Sequence, residues 1–334
     1  MDTIRNFRLA LTALIPFALA AQPASPTATF PTGRFYAPYI LLSRTTPNLP
    51  RIAADSGIRY FTLAFIIDTP KPDVADKNAA GQCLAAWGGR TPLAQESTLA
   101  PVIDSLRQQG GDVLISFGGE AGKELALGCD TPTALQAQYQ AVVDKYKATV
   151  LDLDIEGEAI KDSASVDRRN SALAALQIAN PTLQVSYTLP VATTGLTPAG
   201  IALLNNAMTH GVRIAVVNIM TMDYGGQADP FAMGTHAITA ANGTAAQMLD
   251  NGVRARIGII PMIGINDTKP ESFTLSDAQL VEDWAQANPV ITRMSMWAVS
   301  RDAPCPDTQA RPSNSCSGVP QQPYEFSKIF RDFH

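Results

Sequence analysis

The sequence predicts an α/β protein built as a single (β/α)8 TIM barrel. Three observations carry this. Apolar, strand-like runs alternate with helical spacings about eight times over roughly 300 residues. No Gly-rich dinucleotide fingerprint supports the competing doubly wound open sheet. No short repeat or linker marks a second domain. In order, the run at 34–40 is followed by a short helical stretch at 49–56, the run at 58–66 by 99–109, 112–117 by 132–147, and 149–156 by 165–179. The run at 184–189 is followed by 197–210, 213–222 by 244–252, 255–263 by 276–287, and 292–299 by 323–333.

The ends and the composition bound the compartment. An apolar run over 9–19, after a start containing Arg5 and Arg8 and before the small residues Ala18 and Ala20, predicts a cleavable secretory leader over 1–21. The run is about eleven residues, short of the roughly 20 that span a bilayer, so a secreted protein without a membrane anchor is expected. A Pro/Thr-rich lead over 22–31 then passes into a barrel domain over 32–334. The formal net charge of −5, with no Lys/Arg cluster, speaks against nucleic acid or an anionic membrane as partner and favours a neutral ligand. A monomer is expected. Four cysteines, Cys83, Cys129, Cys305 and Cys316, are an even number in an exported chain and favour disulfides over buried free thiols, with spacing wrong for zinc. Cys305 and Cys316 flank one Pro/Ser/Asn-rich loop and are placed to close it, while Cys83 and Cys129 are placed to tie two loops together; the connectivity stays open at this level.

The chemistry concentrates in Val150-Leu-Asp-Leu-Asp-Ile-Glu156. Extended backbone aims Asp152, Asp154 and Glu156 at one face and Leu151, Leu153 and Ile155 at the other, so the charged face must open onto a polar cavity. Strand ends of a barrel face the mouth where reactions occur. Crowding raises the proton affinity of at least one of the three acids, as a general acid working near neutral pH requires, and Glu156, nearest the mouth, is the expected donor. The competing readings are an acid strand lying in water and a carboxylate metal site.

These residues resemble glycoside hydrolase family 18, the chitinases and their relatives. Asp152-Leu-Asp154-Ile-Glu156 is similar to the end of the family's Asp-Gly-x-Asp-x-Asp-x-Glu motif, Ser116-Phe-Gly118-Gly119 to its Ser-x-Gly-Gly, and Asn218-Ile-Met220-Thr-Met222-Asp223 to its strand-six motif. Trp297 matches the tryptophan that floors the sugar subsite beside the cleaved bond. The resemblance covers essentially the whole mature chain. It implies hydrolysis of chitin or chitooligosaccharides with no cofactor and no metal. The implied reaction is retaining and has no protein nucleophile: Glu156 protonates the glycosidic oxygen while the substrate's acetamide carbonyl closes on the anomeric carbon to give an oxazolinium ion. Asp154 orients the acetamide N–H, Asp152 shares a proton with Asp154, and Glu156 then acts as base on water.

There are departures from the family pattern. Thr149 and Val150 replace the motif's first Asp and Gly. Met222 stands where many relatives carry a tyrosine that donates to the acetamide carbonyl; Tyr224, or Tyr187 on strand five, is expected to take its place. Asp223 is expected to bind the acetamide or a hydroxyl, or else to cap backbone, and Gly119 to line the site. Trp297 is expected to offer a stacking face to sugar rings; Tyr36 either offers one too or packs in the core, and Trp87 is either an outer platform or a loop-packing residue. The stretch 264–275 is too short for the α+β insertion of deep-cleft relatives, so an open groove and internal cuts are expected. A chitin-binding lectin without turnover and an endo-β-N-acetylglucosaminidase are the alternatives.

Overall fold

The computed structural model describes residues 30–31, 33–42, 45–70, 81–226, 228–307 and 311–334. The expected leader over 1–21 and most of the lead over 22–31 lie outside the described residues.

Eight parallel strands close on themselves. The first is split by Pro38 into Phe35–Tyr36 and Tyr39–Leu41, because proline offers no N–H to the ladder. The others are Tyr60–Asp68, Asp112–Gly118, Val150–Asp154, Gln184–Ala192, Ile214–Met220, Arg256–Ile260 and Ile291–Met294. Closure is direct, since Phe35 pairs with Arg293 of the eighth strand and Tyr39 with Thr62 of the second.

Helices wrap the outside, and their starts are written in local chemistry. Asn48, Thr131, Asp162, Thr197 and Thr274 each accept a first-turn backbone N–H, ahead of the helices Leu49–Ser56, Pro132–Tyr146, Ser163–Ala179, Pro198–Thr209 and Leu275–Ala287. Asp277 reciprocates toward Thr274 to complete a capping box. Leu151, Leu153 and Ile155, on the outward face of strand four, join one apolar cluster with Leu135, Tyr139, Leu173 and Leu176 of the adjoining helices.

The expected helix at 244–252 in fact runs Met233–Asp250. Gly234, Thr235, Thr239, Asn242 and Gly243 are weak helix formers and mask its start, while Met233, Ala237, Ala240, Ala241, Thr244 and Met248 bury one stripe. Gly243 is required by close approach: a Cβ there would lie 2.0 Å from the Thr194 carbonyl oxygen.

Connections at the mouth shape the groove. A hairpin, Ala85–Trp87 with Thr91–Pro92, extends the second strand. It buries Trp87, whose Nε1 donates to the Tyr146 hydroxyl at 2.8 Å, so of its two readings Trp87 takes loop packing and not the outer platform. After strand seven there is only a small hairpin, Gly264–Ile265 with Ser272–Phe273, and no inserted domain. Among the described residues no helix is long and apolar enough to cross a membrane.

Two disulfides close loops, Cys83–Cys129 and Cys305–Cys316, across 46 and 11 residues of sequence. Loop-closure entropy makes the longer one worth up to about 4 kcal/mol and the shorter up to about 3. The double Cys83→Ser/Cys129→Ser variant is therefore expected to unfold at clearly lower denaturant than the Cys305→Ser/Cys316→Ser variant. Equal midpoints would refute that ordering.

Candidate active site

Parity builds the site. Strands in parallel register point matching residues the same way, so Ser116, Asp152 and Ser186 stand abreast, and one level nearer the mouth Asp154, Thr188 and Asn218 do the same. Their polar side chains fill the barrel interior, where a neighbouring strand of ordinary core would carry hydrocarbon.

Asp152 is deepest. Its carboxylate accepts from the Tyr39 hydroxyl (2.8 Å), Ser116 Oγ (2.8 Å), Ser186 Oγ (2.6 Å), Thr188 Oγ1 (3.0 Å) and Asn218 Nδ2 (3.0 Å). These five donors surround both carboxylate oxygens and fix the side chain in place.

Asp154 and Glu156 form a pair. Their carboxyl groups share a hydrogen bond, while Asp154 Oδ1 is buried without a hydrogen-bond partner. Burial, and then the charges of Glu156 and Asp152, hold Asp154 well above the usual carboxylate range. Glu156 is pushed up to about 7, chiefly by burial, with the hydrogen bond to Asp154 pulling down and the charges of Glu120 and Asp223 pushing up. One proton held between a buried carboxyl and a half-buried one that borders the cavity is what a proton donor needs.

A cavity of about 310 Å³ opens over the pair, lined by Tyr39, Phe65, Asp154, Glu156, Met222 and Trp297 among others. The Trp297 and Phe65 rings stack at 5.7 Å and 15°, and Tyr39 tilts against both at 5.9 Å. Glu120 and Glu156 also border a second basin of about 450 Å³, which is polar and flanked by Gly119, Glu158, Asp162 and Arg168. The proton-bearing residue thus sits where an aromatic basin meets a polar one.

The remaining expected residues divide. Met222 and Trp297 border the cavity. Gly119 lies at φ 80° beside the polar basin, where a Cβ would come 2.6 Å from the Phe65 ring. Asp223 borders neither basin; its carboxylate accepts from the Thr268 N–H at 2.6 Å and ties the loops after strands six and seven, which is the backbone-capping role. Three tyrosines lie elsewhere. Tyr187 shares the outward parity of Leu153 and donates to Asn170 Oδ1 at 2.6 Å, away from the cavity. Tyr224 packs 5.8 Å from His236 with its hydroxyl buried outside the cavity, because strand six ends at Met220 and Asp223 at φ 50° redirects the chain. Tyr36 faces outward, 5.8 Å from Phe330.

Tyr39, Phe65, Glu120 and Arg293 were not anticipated from the sequence. Tyr39 shares parity with Phe35 and Leu41, opposite to Tyr36. Among the described residues, no group of three or more His, Cys, Asp or Glu converges as a metal-holding set.

No family model matches the chain. It is 35% identical over 320 residues to the "Probable bifunctional chitinase/lysozyme" of Escherichia coli (strain K12), spanning 89% of this chain and 34% of that protein. It is 36% identical over 299 residues to "Endochitinase 11" of Metarhizium anisopliae, spanning 84% and 55% respectively. The chain therefore covers about a third and about half of the lengths of these two relatives. Among solved structures it is similar to the catalytic domain of the hyperthermophilic chitinase from Pyrococcus furiosus, with a TM-score of 0.78 and 33% identity over 91% of this chain and 96% of that one. Catalytic site mutants of active domain 2 of the thermostable chitinase from that organism have been crystallised with chito-oligosaccharides.

Proposed function

The chain belongs to the chitinases of glycoside hydrolase family 18, and on that premise we propose that it cleaves β-1,4 bonds between N-acetylglucosamine units of chitin or chitooligosaccharides with retained configuration. The observation that carries the proposal is the Asp154–Glu156 pair, sharing a hydrogen bond at the junction of an aromatic basin and a polar one.

A sugar ring stacked over Trp297 sets its 2-acetamido group beside Asp154 and its glycosidic oxygen beside Glu156, with the leaving sugar in the polar basin. Glu156 gives its proton to that oxygen as the C1–O bond breaks, and the acetamide carbonyl oxygen forms the new bond to C1. Asp154 accepts the acetamide N–H and balances the positive charge of the oxazolinium ring. Glu156, now a carboxylate, takes a proton from water as the water oxygen attacks C1 and the ring's C1–O bond breaks, which returns the acetamide, the starting configuration and the starting protonation. Asp152, held by its five donors, stays in place behind the pair. Met222 has no donor to offer the acetamide carbonyl, so orientation falls to the N–H side through Asp154. The small hairpin after strand seven leaves the groove open and supports internal cuts. The expected leader and the two disulfides support secretion.

The test is the hydrolysis of a chitin tetramer followed by proton NMR. Dimer, with its new reducing ends first in the β configuration, is the expected result. Initial α products would refute retention, and binding without any product would favour the lectin reading that Met222 motivates.

A further inference from the structure

Among the buried charges that the reaction does not use is one beside its acids. Arg293, on strand eight, is 2% exposed, and among the described residues it makes no ion pair and its Nε has no hydrogen-bond partner. Its guanidinium carbon lies 4.5 Å from the centre of the Phe35 ring. Its Nη1 lies 3.5 Å from Ser186 Oγ, which itself donates to Asp152 at 2.6 Å. We propose that Arg293 is a positioning residue: a fixed positive charge at the barrel floor that holds Asp152 as an anion and so keeps the working proton at the mouth, on the Asp154–Glu156 pair.

The alignment is built into the fold. Ser186 has one hydroxyl hydrogen and spends it on Asp152, so its lone pairs face the guanidinium and the dipole runs from cation to anion. Room for the arrangement comes from Gly258, which sits in register between Asn218 and Arg293. A Cβ at 258 would lie 2.0 Å from Asn218 Oδ1 and 3.1 Å from Arg293 Cβ, so any side chain there would push apart the donor and the cation that serve Asp152. The face of Phe35 supplies part of the stabilisation that water would give the cation. The titratable groups facing Arg293 are Asp152 from strand four and Tyr39 from strand one; Phe35, Ser186 and Gly258 contribute none. Burial lowers the guanidinium pKa to about 10, and Asp152 and Tyr39 oppose that shift, so the group carries its charge at neutral pH. A deeply buried carboxylate without a nearby cation takes up a proton first. Here that would move the proton from the mouth to the floor, out of reach of the glycosidic oxygen.

The inference rests on the hydrolase reading, which wild-type turnover of the tetramer tests by itself. Its own test compares pH profiles of kcat/KM for wild type, R293K, R293M and R293Q. Loss of the positive charge makes every carboxylate of the set harder to ionise, so the alkaline limb is expected to move up by roughly one pH unit in R293M and R293Q, with kcat about tenfold lower, and by less than about 0.3 units in R293K. An unmoved limb in the neutral variants, or a limb that moves as far in R293K, would overturn the proposal. If both neutral variants fail to fold while R293K folds with its limb in place, the need for charge is supported; if all three fail, packing is the role and the proposal is wrong. A stability cycle independent of turnover adds a second reading: Asp152→Asn is expected to lower the melting temperature less in the R293M background than in wild type, and equal losses would count against the pairing.

Discussion

Glu156→Gln is expected to lower kcat on a chitin tetramer by about a thousandfold or more, while the dissociation constant for the tetramer changes by no more than a few-fold. The substitution keeps the volume and a hydrogen-bond donor beside the glycosidic oxygen but removes the transferable proton. The same residue serves as acid in one step and base in the next, so both barriers rise. Single-turnover kinetics and calorimetric binding check the two halves of the statement, and turnover within tenfold of wild type would remove Glu156 from its role. In the wild type, kcat/KM is expected to fall as pH rises above about 7, where Glu156 gives up its proton.

The same substitution has a stability signature with a definite sign. Glu156 has a folded-state pKa of about 7 against an ordinary 4.5, so between those values the native state binds more protons than the unfolded chain. Stability therefore declines as pH rises through that window, and glutamine abolishes this contribution. E156Q is expected to melt higher than wild type at pH 8 and to show no such gain at pH 4. A gain of the same size at both pH values would mean that packing, not ionisation, is responsible.

Asp154→Asn is the second large effect, expected at a hundredfold or more in kcat. Asparagine fills the same space, but no anion then stands beside the positive ring intermediate, and one of its two terminal groups is a donor that cannot accept the acetamide N–H. The loss belongs to the charged intermediate and not to the neutral substrate. A cationic analogue of the oxazolinium ring should accordingly bind the variant far more weakly than it binds wild type, whereas the neutral disaccharide should bind both alike. Equal weakening of the two ligands would indicate a general collapse of the cavity.

Strand four was legible because ionised carboxyls on every second residue have no place in hydrocarbon, whichever way the strand is turned. Aromatic residues carry no such constraint. A tyrosine suits either face of a barrel strand, so Tyr36 and Tyr39, three residues apart and on opposite faces, could not be told apart without knowing which parity looked inward. For Tyr187 the information was present: Ser186 and Thr188 are the small polar residues of strand five, and their parity is the interior one, which sends Tyr187 outward to Asn170. For Tyr224 it was not, since counting by twos beyond Met220 assumes extended backbone and Asp223 adopts a left-handed turn. Arg293 was hidden for a different reason. A single charged residue in an apolar run reads as an exposed position, and only the register with Gly258 and Phe35 puts it inside. The sixth helix began earlier than its residues suggest because burial of a stripe, absent from any local signal, outweighs the weak propensity of Gly234 and Gly243.

Trp297 has one further use. The chain contains three tryptophans, and two are spoken for: Trp87 is packed against Tyr146, and Trp284 lies in the helix Leu275–Ala287. Trp297 alone borders the sugar cavity. Its indole is thus a built-in fluorophore, and the emission of the unlabelled protein should report occupancy as each ring arrives, giving a direct optical titration in any variant that has lost turnover.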